Sequence, residues 1–552
     1  MAASTDTDRS IIPSLPLDCI VEILGHIQDD SMATTLLYSY LQTSRQWAKL
    51  VVPMLWRCPF RHNVSSRKSS YIIRTMVSCL ADEEKRQWVD HGFIIPTNQQ
   101  KPLFNYPSYI RTLDTNSLQA SVSQWLKIFH NIVVPHETDK LGVAINLIGQ
   151  LIIGNSRGLE SLRWDHDFKY KNKVEEFRIT PILPNISSYA GIETALSSLT
   201  RFETQCWDGL DEISGDILTS DINSISRYSR NIQHIEIDVY LRLSDYKPLC
   251  QAFSKLIEVQ ASLRTIGLSE WWDHSQMTSV YTSIQSQAHS LKSFHTNNLR
   301  YVRKLLPVFS ACVNLVNLSI TNFYEIEDVT SLIENIASLP PIHVKHLTAN
   351  YKVHFECYQQ HFSSLVQLLI RLSNQKLRSL SLGYIDSKII ETINQSCPKI
   401  SFLSSHLYTE DFPHLCKNLQ GMTSLEQLIL VIKSCTFDDM LQLASALPVN
   451  LRHLGIRIST APIMIGTLLK NMVISIETLD IYDKVDVGLA KIIVEFAEKS
   501  GGLRKLGIKN RDTMYDENIF TEEIGERADK VIGLIGEPSG TILRDGTILH
   551  RR

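Results

Sequence analysis

Four successive stretches decide the fold: LEQLIL at Leu425–Leu430, LRHLGI at Leu451–Ile456, IETLDI at Ile476–Ile481 and LRKLGI at Leu503–Ile508. Each places apolar residues at its first, fourth and sixth positions, and successive starts lie 26, 25 and 27 residues apart. Working outward, the same pattern recurs at Leu159, Leu199, Ile232, Leu263, Leu291, Leu315, Val344, Leu377 and Ile400. From Leu263 to Leu503 nine steps cover 240 residues, a mean near 27, and most steps fall between 23 and 29. Leucines scattered through an ordinary α/β domain do not keep such a spacing. Before each motif stands an amphipathic stretch of about 10 to 15 residues and a polar or proline turn, as in LIENIASLPPIHVKHLTA at Leu332–Ala349. The unit is therefore a helix, a turn and a short strand, an α/β repeat. A single unit cannot cover its own apolar face, so neighbours must stack into a solenoid, with parallel strands on the concave face and helices on the convex face.

Over residues 106–510 this array resembles the leucine-rich repeat family, in a degenerate form that mostly lacks the asparagine or cysteine usual after the strand. Alternate side chains of a strand point to opposite faces, so the residues between the leucines face the concave surface. His234, Glu236, His295, His346, Phe402, His453 and Asp480 stand at such positions and are candidate substrate-binding residues. Most of their companions, such as Thr265, Ser293, Asn317, Ser319 and Ser404, are small or polar, which suits a surface in contact with water or with an extended partner. The four histidines come from nonadjacent units, so they read as solvated imidazoles and not as metal ligands. Trp271-Trp272 in SEWWDH follow a strand in a loop position, where paired aromatics either anchor a partner or pack on the neighbouring loop.

The segment Ser14–Phe60 carries no repeat motif. Leu17, Ile20, Val21, Ile23, Leu24 and Ile27 follow helical spacing behind Ser14 and Pro16, which supply a helix start. Leu37, Leu41, Ser44, Ala48 and Val51, with Trp47 beside them, predict a second helix that ends before Pro53. Two or three helices in so short a segment make a thin core, which leaves apolar surface for a partner. The segment resembles an F-box. The matching residues are Leu15-Pro16, Asp18 where glutamate is usual, the run Ile20, Ile23 and Leu24, then Thr43-Ser44-Arg45-Gln46-Trp47, and finally Leu55-Trp56. It departs from the family in the loop DDSMATT and in Thr43, where valine is preferred.

An F-box joined to leucine-rich repeats implies the substrate receptor of a cullin-type ubiquitin ligase. The F-box docks on the Skp adaptor, and through it on a cullin, while the repeats hold a protein target. In that reading Leu15, Pro16, Ile20, Ile23, Leu24, Trp47 and Trp56 are the adaptor-facing or face-supporting residues; the two tryptophans fit a place in the small domain's own core equally well. Such a receptor catalyses nothing and acts by raising effective concentration. The alternative is a repeat scaffold, or an F-box protein acting outside ubiquitination.

Composition narrows the rest. In 552 residues, 55 Lys and Arg oppose 58 Asp and Glu, a net charge of −3 that argues against a general nucleic-acid binder. With 43% hydrophobic and 20% charged residues, wholesale disorder is excluded. The ten cysteines never fall closer than 19 residues apart, so no C-x-x-C pair exists, and they read as reduced, mostly buried thiols. The polar start MAASTDTDRS lacks a signal core, which points to cytosol or nucleus. LGVAINLIGQLIIG, Leu141–Gly154, is too short and, with Asn146 and Gln150, too polar to span a bilayer, and reads as a buried helix. No phosphate loop, dinucleotide fingerprint, H-E-x-x-H or G-x-S-x-G is present, and Asp165-His166-Asp167 and Asp273-His274 lack further partners at recognisable spacing. The expectation is a non-enzyme without cofactor or metal, with protein partners and no nucleic-acid or membrane partner. Its segments are a flexible start (1–13), the F-box (14–60), a helical linker or cap (61–105) with Tyr71–Trp88 helical, the repeats (106–510), and a cap and tail (511–552).

Overall fold

In the computed structural model the residues described are 19–20, 22–24, 33–60, 66–95, 102–132, 138–165, 168–171, 176–179, 185–210, 212–241, 247–269, 274–297, 302–321, 329–350, 359–458, 463–483, 485–508, 535–536, 540–542 and 548–550. Two units divide the chain at Ile232 and Gln233. Each repeat strand begins two residues after its motif does. The first unit contains β1 (Thr112–Asp114), β2 (Ser161–Arg163), β3 (Phe168–Lys171), β4 (Glu176–Ile179) and β5 (Arg201–Leu210). Of these, β1, β2 and β5 pair in parallel, and β3 and β4 form a separate antiparallel pair.

The second unit carries β6 (His234–Leu241), β7 (Thr265–Ser269), β8 (Ser293–Asn297), β9 (Asn317–Thr321), β10 (His346–Asn350), β11 (Ser379–Leu382), β12 (Phe402–Leu407), β13 (Gln427–Ile432), β14 (His453–Ile458), β15 (Thr478–Ile481), β16 (Lys505–Ile508) and β17 (Ile535–Gly536). They lie in chain order, each parallel to the next. Consecutive parallel strands of one sheet require a crossover between them, and here a helix supplies it in most repeats. The register is uniform: Ile235, Ile266, Phe294, Leu318, Leu347, Leu380, Leu403, Leu428, Leu454, Leu479 and Leu506 stand side by side and are all buried. This is the solenoid that the motif spacing predicts.

A second ladder fixes the rungs to one another. The residue just before each strand offers one carbonyl to two amides of the following rung. Arg264 O accepts from Lys292 N at 2.8 Å and Ser293 N at 3.0 Å, Glu426 O from Arg452 N at 2.8 Å and His453 N at 3.0 Å, and Glu477 O from Arg504 N at 2.8 Å and Lys505 N at 3.1 Å. Both lone pairs of a carbonyl that would otherwise end a strand unpaired are thereby used. On the other side of the leucine row lie the helices, whose starts are written locally. Asp386 and Asp486 each accept an amide of the first turn at 2.8 Å, from Ile389 and Leu489, and Thr436 and Asp439 form a reciprocal capping box.

The N-terminal helices differ from expectation in two places. Helix Ala33–Leu41 is separate from helix Arg45–Leu55, because Ser44 caps the second by accepting Trp47 N at 3.2 Å; that helix then runs through Pro53 to Leu55. Pro53 sits in the last turn, where its missing N–H costs one hydrogen bond and the following amide of Trp56 still reaches Val52 O at 3.0 Å. Tyr71–Trp88 is likewise two helices, Ser66–Ser78 and Asp82–Asp90. Three acidic residues in the first turn and a Glu84 carboxylate accepting Ala81 N at 2.7 Å start a new helix there. Helix Ser66–Ser78 packs on helix Thr115–Phe129, and Trp88 meets Trp125 edge to face at 5.7 Å. Leu141–Gly154 lies within helix Thr138–Asn155, much of it buried as expected. Of the cap and tail expected at 511–552, residues 511–534 lie outside the described residues.

The alternation of faces makes a direct prediction. Leu428→Ala, at a fully buried position, lowers stability by about 2–5 kcal/mol, whereas Gln427→Ala, one residue earlier on the other face, changes it by less than about 1 kcal/mol. Denaturant unfolding of the two variants checks this; equal losses would show that the leucine row is not the core.

Candidate functional site

Two surfaces bring the predicted residues together. In the N-terminal helices a small core forms from Leu24, Leu37 and Val51, with Ile20, Tyr40, Leu41, Trp47, Met54 and Leu55 packed against it. Leu24 is thus part of the buried cluster, 2% exposed. Ile20 is half-buried beside it, while Ile23 is 49% exposed. Trp47 stacks on Tyr40 at 5.0 Å within the helical domain, whereas Trp56 lies 4.4 Å from Tyr106, at the start of the repeats. Leu15 and Pro16 lie outside the described residues. Leu36 and Tyr38, 42% and 54% exposed, were not singled out by sequence, although the run Leu36-Leu37-Tyr38 can send only one of its three side chains into a core that size.

This domain is joined to the first repeats through the same carbonyl device. Arg57 O accepts from Arg111 N at 2.9 Å and Thr112 N at 3.0 Å, standing where a preceding repeat would, and the Arg57 guanidinium pairs with Glu160. The end of the helical domain therefore serves as the rung before β1.

The second surface is the strand face opposite the leucines. Register places His234, Thr265, Ser293, Asn317, His346, Ser379, Phe402, Gln427, His453, Thr478 and Lys505 in one row, and Glu236, Gly267, His295, Ser319, Thr348, Ser381, Ser404, Ile429, Gly455, Asp480 and Gly507 in the next-but-one row. Through β7 to β11 this face is neutral and hydrogen-bonding. Asn317 Nδ2 donates to Ser293 Oγ at 2.8 Å, and burial holds the His295 imidazole below its usual pKa against an opposing pull from Asp238, which keeps it neutral at pH 7.

Toward the C-terminal end the face changes character. Ile429, Val431 and Tyr482 form a buried apolar cluster with Phe402 against it. Gly455 makes this possible, since a Cβ there would stand 3.0 Å from Ile429 Cγ1 and 3.3 Å from Tyr482 Cε2. His453 is not a solvated imidazole. Its Nε2 lies 2.8 Å from Asp480 Oδ2, with the two side chains 9% and 0% exposed, so these two residues are consumed by each other and do not offer a contact. The strand QLILVI already hints at this, because a nearly continuous apolar run is the pattern of a strand buried on both faces. Trp271 and Trp272 lie outside the described residues, as do His166 and Asp167.

The first unit holds two buried carboxylates. Asp165 accepts Arg163 Nε at 2.7 Å and also the Asn116 amide. Asp221 accepts Trp164 Nε1 at 2.8 Å and Ile186 N at 2.6 Å, and so ties together the two ends of the segment that carries β3 and β4. Burial pushes Asp165 up to about 6 despite Arg163, and Asp221 up to about 7 despite its two donors. Cys312 and Cys397 are likewise buried with raised pKa, to about 11 and about 12, which makes them poor nucleophiles. Among the described residues no group of three His, Cys, Asp or Glu is placed to hold a metal ion, and no helix is long and apolar enough to cross a membrane.

No protein-family model matches the chain, and no curated protein matches it. Among the solved structures that resemble it are two of low identity. One is the crystal structure of a TLR13–ssRNA13 complex, at 11% identity and a TM-score of 0.32, covering 64% of this chain; this chain spans only 44% of the length of that one. The other is the LRR protein LIC12759 of Leptospira interrogans, at 14% identity and a TM-score of 0.23, covering 71% of this chain and 92% of that one. At such scores the repeat fold rests on the chain's own strand order and register.

The raised carboxyls set a pH dependence. In the fold Asp165 and Asp221 favour the neutral form, whereas the unfolded chain releases those protons near 3.8, so their contribution is full below that pH and is lost as pH rises through about 6 to 7. Between pH 5.5 and 7.5 the wild type should lose more thermal stability than Asp221→Asn does. A variant with the same slope as wild type would refute the assignment.

Proposed function

We propose that this chain is a non-catalytic receptor of a Skp–cullin–F-box ubiquitin ligase, its N-terminal helices docking on the Skp adaptor and its repeats holding a protein target. The observation that carries the reading is the exposure of Ile23, Leu36 and Tyr38 beside a small buried cluster of Leu24, Leu37 and Val51. A domain of that size leaves apolar surface that water does not favour, and a partner is the ordinary means of covering it. The F-box resemblance of residues 14–60 gives that partner an identity. The repeats support the second half of the reading: a long strand face, neutral and rich in hydroxyls and amides over β7 to β11, is a surface of adaptable hydrogen bonds suited to a protein target.

The attachment of the helical domain to β1 through the Arg57 carbonyl holds these helices against the first repeats, and a receptor that holds target and adaptor on one chain raises the effective concentration of the target near the transferring enzyme.

Size-exclusion chromatography of the full chain with the Skp adaptor and cullin tests the proposal. A stoichiometric complex is expected for wild type, with at least tenfold weaker association for Ile23→Asp and for the double variant Leu15→Ala, Pro16→Ala. Ile23 is exposed, so its loss leaves the fold intact. A folded wild type that elutes apart from the adaptor would reject the ligase reading and leave a repeat scaffold acting outside ubiquitination.

A further inference from the structure

The second residue of each repeat motif is the one whose carbonyl bridges two rungs, and it stands at the edge where the strands begin. Along the second unit this column reads Gln233, Arg264, Lys292, Val316, Lys345, Arg378 and Ser401, then Glu426, Arg452, Glu477 and Arg504. The change at Glu426 divides the edge into two electrostatic halves. In the later half the cations are answered: Arg452 and Arg504 approach Glu477 at 3.8 Å and 3.9 Å, across a groove of about 520 Å³.

In the earlier half no carboxylate answers them among the described residues, and Arg378 donates to the carbonyls of Gln375 and Leu377 in its own turn, at 2.8 Å and 3.1 Å. The turns 259–264, 287–292, 312–316, 339–345, 374–378 and 397–401 contain Arg264, Lys292, Lys345, Lys376, Arg378 and Lys399 and not one aspartate or glutamate. All but the half-buried Arg378 are exposed. The nearest acid along the chain, Glu258 at the end of the preceding helix, already accepts Ser283 Oγ at 2.8 Å. Among the described residues none of the six cations forms an ion pair. Lys376 instead contacts the His343 ring nitrogen, and burial together with that ammonium holds the imidazole below its usual pKa. In a chain with a net charge of only −3, six unanswered cations on one edge are a segregated field.

We propose that the strand-start edge of β7 to β12 docks an extended peptide segment of the target that carries several negative charges, as carboxylates or phosphates. The dimensions agree. Five rung steps at roughly 4.8 Å span about 24 Å, which about seven residues of extended peptide cover at roughly 3.4 Å each. Arginine and lysine at intervals of one or two rungs then meet charges on alternate residues of the segment, and the neutral strand face beside them accepts its uncharged groups by hydrogen bonding. This deepens the protein-target half of the proposed function and makes no use of the adaptor, so loss of adaptor binding leaves it standing.

Fluorescence anisotropy with a labelled octaglutamate peptide tests it on the full chain without adaptor. A glycine–serine peptide of equal length, octalysine and a twelve-nucleotide single-stranded RNA serve as comparisons. Octaglutamate should bind at 50 mM salt, weaken several-fold at 300 mM, and bind at least tenfold more weakly to the triple variant Arg264→Glu, Lys292→Glu, Lys345→Glu. If circular dichroism shows the triple variant unfolded, Lys292→Ala and Lys345→Ala replace it, each with an expected two- to fivefold loss. Equal binding by wild type and folded variants, or no octaglutamate binding at 50 mM salt, overturns the proposal. So does tighter binding of the RNA through the same residues, which would make this a nucleic-acid edge.

Discussion

One carbonyl shared by two amides is the contact on which the second unit depends. Each pre-strand residue gives its oxygen to two consecutive N–H groups of the next rung, and this sets the stagger between rungs to zero. Zero stagger is what brings Leu318, Leu347, Leu380 and Leu403 to the same height, and only at the same height do they close a continuous dry row. A slip of one residue would turn the whole row to the other face, since side chains alternate along a strand. The backbone ladder and the leucine row therefore enforce each other.

The same constraint explains how much was legible in the sequence. Strand positions and facing residues followed from the motif alone, because a register without stagger carries motif position directly into space. What escaped were features made by neighbours across rungs. His453 and Asp480 are 27 residues apart and belong to different rows, so nothing in either motif announces that they meet. Gly455 looks like an ordinary small residue of a polar face until Ile429 and Tyr482 are seen to occupy the space its missing side chain leaves. The acid-free edge was likewise present in the letters, yet it shows only when the second motif position is read down the stack.

The N-terminal helices failed in a different way. A proline ordinarily stops a helix, but in the last turn of Arg45–Leu55 Pro53 lacks only one donor, and the helix tolerates it. Ser44 falls on the spacing of the second helical stripe, yet its hydroxyl caps helix Arg45–Leu55 by accepting Trp47 N. Tyr71–Trp88 has a continuous helical pattern, but the acidic cluster at Asp82 begins a new helix and outweighs the periodicity around it. Short helices are decided by their caps more than by their stripes.

The clasp at Asp221 has a consequence for how this fold tolerates change. Trp164 and Ile186 meet on one carboxylate, so the chain between them leaves and returns at a fixed gate. For a loop whose ends are already held, doubling its length adds only about 0.6 kcal/mol of closure entropy. The array does not register what happens beyond the gate. That neck is therefore a natural port for insertion, where a hairpin can be lengthened, exchanged or replaced by a foreign module while β2 and β5 remain neighbours.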